Sequence, residues 1–160
     1  MGKARQSAVT GEETMTETTI KTPWRLWVVG VIAVLFNSIG VFDFVMSMAQ
    51  GPAYMASVGM TPAQIAHYQD MPAWMTLDWA IGVFGAFLGS VLILLRNKLA
   101  WPVLAVSLAA FLLSLAYTYL LTDGGKIMGG QMAITSAIIA GLLALFIGYA
   151  WAMTRRGVLR

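Results

Sequence analysis

The chain has 160 residues, of which 59% are hydrophobic and only 11% charged, with a formal net charge of +3. A soluble domain carries about 25% charged residues, so this balance excludes an ordinary water-soluble fold and points to a single membrane domain. With no cysteine and one histidine, His67, disulfides, thiolate metal sites and multi-histidine metal sites are excluded within one chain, and no cofactor or metal is expected.

In chain order, residues 1–22 are polar, rich in Thr and carry Glu12, Glu13 and Glu17 without hydrophobic periodicity. They predict a disordered cytoplasmic tail. Residues 23–154 predict an all-α membrane domain of four transmembrane helices, spanning 24–48, 74–95, 100–121 and 131–153. Each can cross a hydrocarbon core ~30 Å thick, which needs about 20 helical residues. Joined by short loops, they predict an antiparallel up-down-up-down bundle. Residues 155–160 read as a basic tail.

The longer loop, 50–71, contains Thr61-Pro62-Ala63-Gln64. Thr as N-cap, Pro at the first helical position and Gln three residues on make a capping box. A short loop helix from Pro62 to about Gln69 is therefore predicted, with Asp70 expected to cap the second span. The other loop, 122–130, reads as short and glycine-rich.

Nine of the ten Lys and Arg residues fall before or at the very start of the first span, between the second and third, or after the fourth. With four spans, these segments share one side; Lys126 alone lies on the other. The positive-inside rule then puts both termini in the cytoplasm. This charge placement is a topology signal and implies no nucleic-acid partner.

Each span also carries a stripe of small and polar residues at helical spacing. The first has Ala33, Asn37, Gly40, Phe44 and Ser47; the second Asp78, Gly82, Gly85 and Gly89; the third Ser107, Ala110, Ser114 and Tyr117; the fourth Gly130, Ala137, Gly141, Ala144 and Gly148. Lipid supplies no hydrophobic drive between helices, so small residues mark where backbones meet. All four stripes are expected to face inward.

Ionisable residues inside a membrane are costly and count as functional candidates. Asp43 and Asp78 qualify. Both lie roughly 6–8 Å below the outer boundary at 1.5 Å per residue. Tyr117 approaches that level and Asn37 lies deeper. These four form the candidate polar, proton or substrate site. The plainer readings are that Asn37 is interhelical glue, that Asp78 favours a helix start, and that Asp43 needs a hydroxyl, Asn37, a water or a proton as partner. His67 is expected to be solvated.

The run Asn37-x-x-Gly40-x-x-Asp43-Phe44-x-Met46 resembles a family of small four-helix bacterial inner-membrane proteins, as do Pro72-x-Trp74, Trp79-Ala80-x-Gly82-Val83-x-Gly85, Gly89-Ser90, Leu94-Leu95-Arg96, Trp101-Pro102-Val103 and Asp123-Gly124. The resemblance spans nearly all of residues 24–153. Members often carry the label "sugar transporter", which implies a bacterial inner-membrane location and draws attention to Asn37, Asp43, Trp74 and Asp78. A looser likeness to small multidrug exporters stops at their intramembrane Glu, because no span here contains one.

Two functions follow as expectations. The first is a non-enzymatic accessory or assembly module, packed through small-residue faces that leave little room for a ligand path, in a homo-oligomer or larger membrane complex. The alternative is a small-solute, sugar-type transporter acting as an oligomer. An enzyme at the outer interface ranks below both.

Overall fold

The computed structural model describes residues 22–160; the expected tail, 1–22, lies outside them but for Thr22. Four helices are long and apolar enough to cross a membrane: α1 Trp24–Gln50, α4 Ala73–Leu94, α5 Ala100–Ala116 continued by a π-helical turn Tyr117–Leu121, and α6 Gly124–Arg155. Two short helices, α2 Pro52–Ser57 and α3 Pro62–Gln69, fill the connection between α1 and α4. This is an all-α membrane fold, and no strand occurs among the described residues.

The helices follow one another in space, α1 against α4, α4 against α5 and α5 against α6, with α4–α5 the most extensive contact. The stripes explain that contact. A Cβ added at Gly89 would sit 2.5 Å from the Leu104 side chain, and one at Gly85 3.2 Å from Ser107. Leu104, Ser107 and Ala110 are buried opposite. Gly30, outside the expected stripe, extends it on α1: a Cβ there would meet the Leu94 side chain at 2.4 Å.

The fourth stripe is a correction. Gly130, Ala137, Gly141, Ala144 and Gly148 are all exposed, and a Cβ at Gly130, Gly141 or Gly148 would meet nothing within 4 Å. Helix α6 instead buries Leu143, Phe146, Ala150 and Met153. These large residues repeat with the same helical period on the opposite face. They join Leu26, Ala33, Ile93 and Leu104 in the core.

Element ends differ in three places. Gly129 has φ 73° and ψ 175°, which breaks α6 just after its first turns, so the segment read as a loop already contains helix. Helix α2 was not expected. The last residues are no free tail: Val158 and Leu159 are buried, Arg160 N–H donates to the Arg96 carbonyl at 2.8 Å, and Lys98 N–H donates to the Arg160 carbonyl at 3.0 Å. The two basic segments are therefore tied together at what is here termed the terminus end. The loop end holds α2, α3 and the start of α6.

Candidate functional site

A cavity of about 560 Å³ opens between the helices in the loop-end half. Its size falls in the range of about 300–1,000 Å³ typical of ligand pockets. Asn37, Asp43 and Asp78 all line it. Tyr117 does not; its ring packs edge-on against Trp74, with centroids 5.2 Å apart. The α5 face towards the cavity runs instead through Phe111, Ser114 and Leu115 to Thr118 and Tyr119.

Each polar group is held by a neighbouring element. Asp78, only 8% exposed, accepts a hydrogen bond at Oδ2 from the Ser114 hydroxyl at 2.5 Å. This ties α4 to α5 about two turns along α5 from the Ser107 hydroxyl, which donates to the Gly82 carbonyl at 2.5 Å. Asp43 takes the hydroxyl partner that its position near the end of a helix requires: the Tyr54 phenol donates to Oδ1 at 3.0 Å. That phenol comes from α2, which had no counterpart in the expected loop. Asn37 is glue between helices, its Nδ2 donating to the Ser90 hydroxyl and to the Ala33 carbonyl, both at 2.9 Å.

Helix α3 covers the loop end. Its capping box is as read from the sequence, with Thr61 N–H donating to Gln64 Oε1 at 2.9 Å and Gln64 N–H to Thr61 Oγ1 at 3.3 Å. The same Gln64 side chain donates to the Ile127 and Met128 carbonyls of α6 at 3.5 and 3.4 Å. So α3 is pinned across the bundle, and Tyr68 rests on Trp79 with centroids 6.2 Å apart. Burial, and then the negative charge of Asp43, push the Tyr68 phenol above its ordinary pKa, which keeps it protonated and neutral. Asp70 is the C-cap of α3; Pro72, with no side-chain bond, stands at the N-cap of α4. His67 is half-buried rather than solvated, and its Nε2 is buried without a hydrogen-bond partner, as is the Tyr119 hydroxyl.

Sequence reasoning missed Tyr54, Tyr68, Trp79, Tyr119 and the methionines Met55, Met71, Met75 and Met128, all of which line the cavity. No group of acidic or histidine side chains fit to hold a metal occurs among the described residues.

The chain matches no family model, no curated protein and no solved structure. It is an integral membrane protein by its four apolar helices, and its activity has to be argued from the cavity.

Proposed function

We propose that this protein binds a small molecule in the loop-end half of its bundle and hands it across or along the membrane, acting as a carrier module rather than an enzyme. The observation that supports this reading is the cavity itself, about 560 Å³ and bearing two carboxylates and Asn37. It removes the argument that small-residue packing leaves no room for a ligand. Polar residues at membrane depth that face a cavity are the usual mark of a substrate path. The proposed setting is a bacterial inner membrane with both termini cytoplasmic, which the basic collar at the terminus end favours.

Cysteine chemistry tests the reading, since the chain has no cysteine of its own. Ser136 lines the cavity from α6, whereas Ser90 is fully buried between helices. In lipid nanodiscs, Ser136→Cys is expected to react with a small methanethiosulfonate and Ser90→Cys is not. An unreactive Ser136→Cys would mean a space closed to small molecules and would remove the carrier reading.

One observation favours a second reading, an accessory module that associates through its helices. The exposed stripe on α6, with Ala137 and Gly141 four apart and Ala144 and Gly148 four apart, has the small-xxx-small form of transmembrane helix contacts. The partner proposed on this reading is a second copy of the chain.

A further inference from the structure

Resting on the carrier reading, we propose that the cavity selects a membrane-dissolved amphiphile carrying a protonated amine, and that it enters sideways between α1 and α6.

The side of entry follows from the packing order. Helices α1 and α6 are the outer pair of the row. They approach at Phe36 and Phe146, with ring centroids 6.5 Å apart. Towards the loop end the cavity lies between them. Ile39 and Phe42 of α1 and Ile138 of α6 line it while being 67%, 59% and 57% exposed. A cavity whose lining residues are also the lipid-facing residues opens into hydrocarbon. Its walls are largely apolar, so a molecule already dissolved in the membrane is favoured over a free sugar, which would leave most of its hydroxyls unpaired there.

The charge follows from the charge balance of the lining. The Tyr54 and Ser114 hydroxyl protons are spent on Asp43 and Asp78. Both Asn37 Nδ2 protons are spent on Ala33 and Ser90, which leaves its oxygen as an acceptor. Among the described residues the Asp78 carboxylate accepts only the Ser114 hydrogen bond, at Oδ2, although the residue is 8% exposed and lines the cavity. No Lys, Arg or His among the described residues lines the cavity. The Tyr68 and Tyr119 phenols and the Trp79 ring N–H also line the cavity as neutral donors; what the lining does not supply is a positive charge to set against the two carboxylates, which lie beside the rings of Trp79, Tyr54 and Tyr68. An ammonium supplies up to three donors and the balancing charge, and aromatic faces attract it. A carboxylate or phosphate would meet repulsion from both acids. Methionines in the lining suit a flexible hydrocarbon tail of loosely defined shape.

The test uses three probes of one chain length: decylamine, 1-decanol and decanoate, each titrated at pH 7 into the protein in nanodiscs, with empty nanodiscs as background. Binding is read from tryptophan fluorescence and from the shift in melting temperature. Decylamine is expected to bind saturably and at least 10-fold tighter than the other two, and Asp78→Asn and Asp43→Asn should each weaken it at least 10-fold while leaving decanol unchanged. Equal binding of all three probes, or tighter binding of decanoate, overturns the amine assignment and leaves the carrier reading standing. If none binds saturably the inference falls; Ser136→Cys labelling then separates the cases, because a reactive cysteine keeps an accessible cavity for another ligand and an unreactive one removes both. Should Asp78→Asn fail to fold, the three wild-type titrations and Asp43→Asn still decide.

Discussion

Asp43 and Asp78 reach the same cavity with different supports, and substitutions at their partners should separate them. Asp78 sits between two packed helices and depends on one hydroxyl from α5. Ser114→Ala removes that donor and leaves a buried carboxylate oxygen unpaired, at a cost of about 1–3 kcal/mol. The expected outcome is a clear fall in melting temperature in detergent. A melting temperature equal to wild type would mean that another donor takes the place of Ser114. Tyr54 belongs to a short helix at the rim, so Tyr54→Phe should change melting temperature little and act on ligand binding instead. Gly157 poses a separate question. It has φ 68°, and the Val158 N–H donates back to the Met153 carbonyl at 3.0 Å, the closing bond of a Schellman turn. An L-residue in that conformation costs about 1–2 kcal/mol. Gly157→Ala should therefore lower the melting temperature by loosening Val158 and Leu159 from the core, whereas Gly141→Ala, in open space, should not.

At the scale of the helices, two glycine stripes with the same spacing should behave in opposite ways. Gly89→Leu drives a side chain into Leu104 and the backbone beneath it; overpacking of this kind costs about 1–3 kcal/mol or more. At Gly141 an added Cβ has nothing within 4 Å among the described residues, so Gly141→Leu should leave a single copy as stable as wild type. If α6 is an association face, Gly141→Leu should also shift the mass in mild detergent from oligomer to monomer. Unchanged mass would remove α6 as that face. The contrast also marks how far sequence could reach. Four spans were legible because apolar length is a local property, and α3 was legible because Thr61, Pro62 and Gln64 settle a capping box among themselves. The direction of the α6 stripe was not. Gly141, Ala144 and Gly148 repeat with the same period as Leu143, Phe146 and Ala150, so two faces competed, and only the distance to α5 and α1 decides between them. Helix α2, the π turn at Tyr117–Leu121 and the break at Gly129 were illegible for a related reason. Each lies against elements distant in sequence or joined through the fold: α2 against α1 and α3, the π turn against α6, and the break beside the Ile127 and Met128 carbonyls that Gln64 reaches. The site was half legible: intramembrane cost singled out Asn37, Asp43 and Asp78, while Tyr54, Tyr68 and Trp79 are ordinary interfacial residues until the fold brings them together.

For the whole molecule, charge and fold bear on the same axis. Arg96 and Lys98 are joined by backbone hydrogen bonds to Arg160, with Arg155 and Arg156 close by in sequence, so the terminus end carries a fixed basic collar. Among the described residues the loop end has Lys126 as its one Lys or Arg, 3.0 Å from Asp123 in an exposed pair worth about 0–1 kcal/mol and contributing little net charge. The cavity lies in the half away from the collar. If the positive-inside rule sets the orientation, the carboxylates face the outer leaflet, and an amine would be taken up from or delivered to that leaflet. Orientation therefore decides which side the carrier serves. In the cysteine-free chain, Ser57→Cys on α2 and Lys98→Cys in the collar report the two ends. In intact spheroplasts Ser57→Cys is expected to react with an impermeant maleimide, and Lys98→Cys only after the membrane is opened. The reverse pattern would place the cavity in the inner leaflet. It would leave the amine chemistry intact and turn the direction of delivery around.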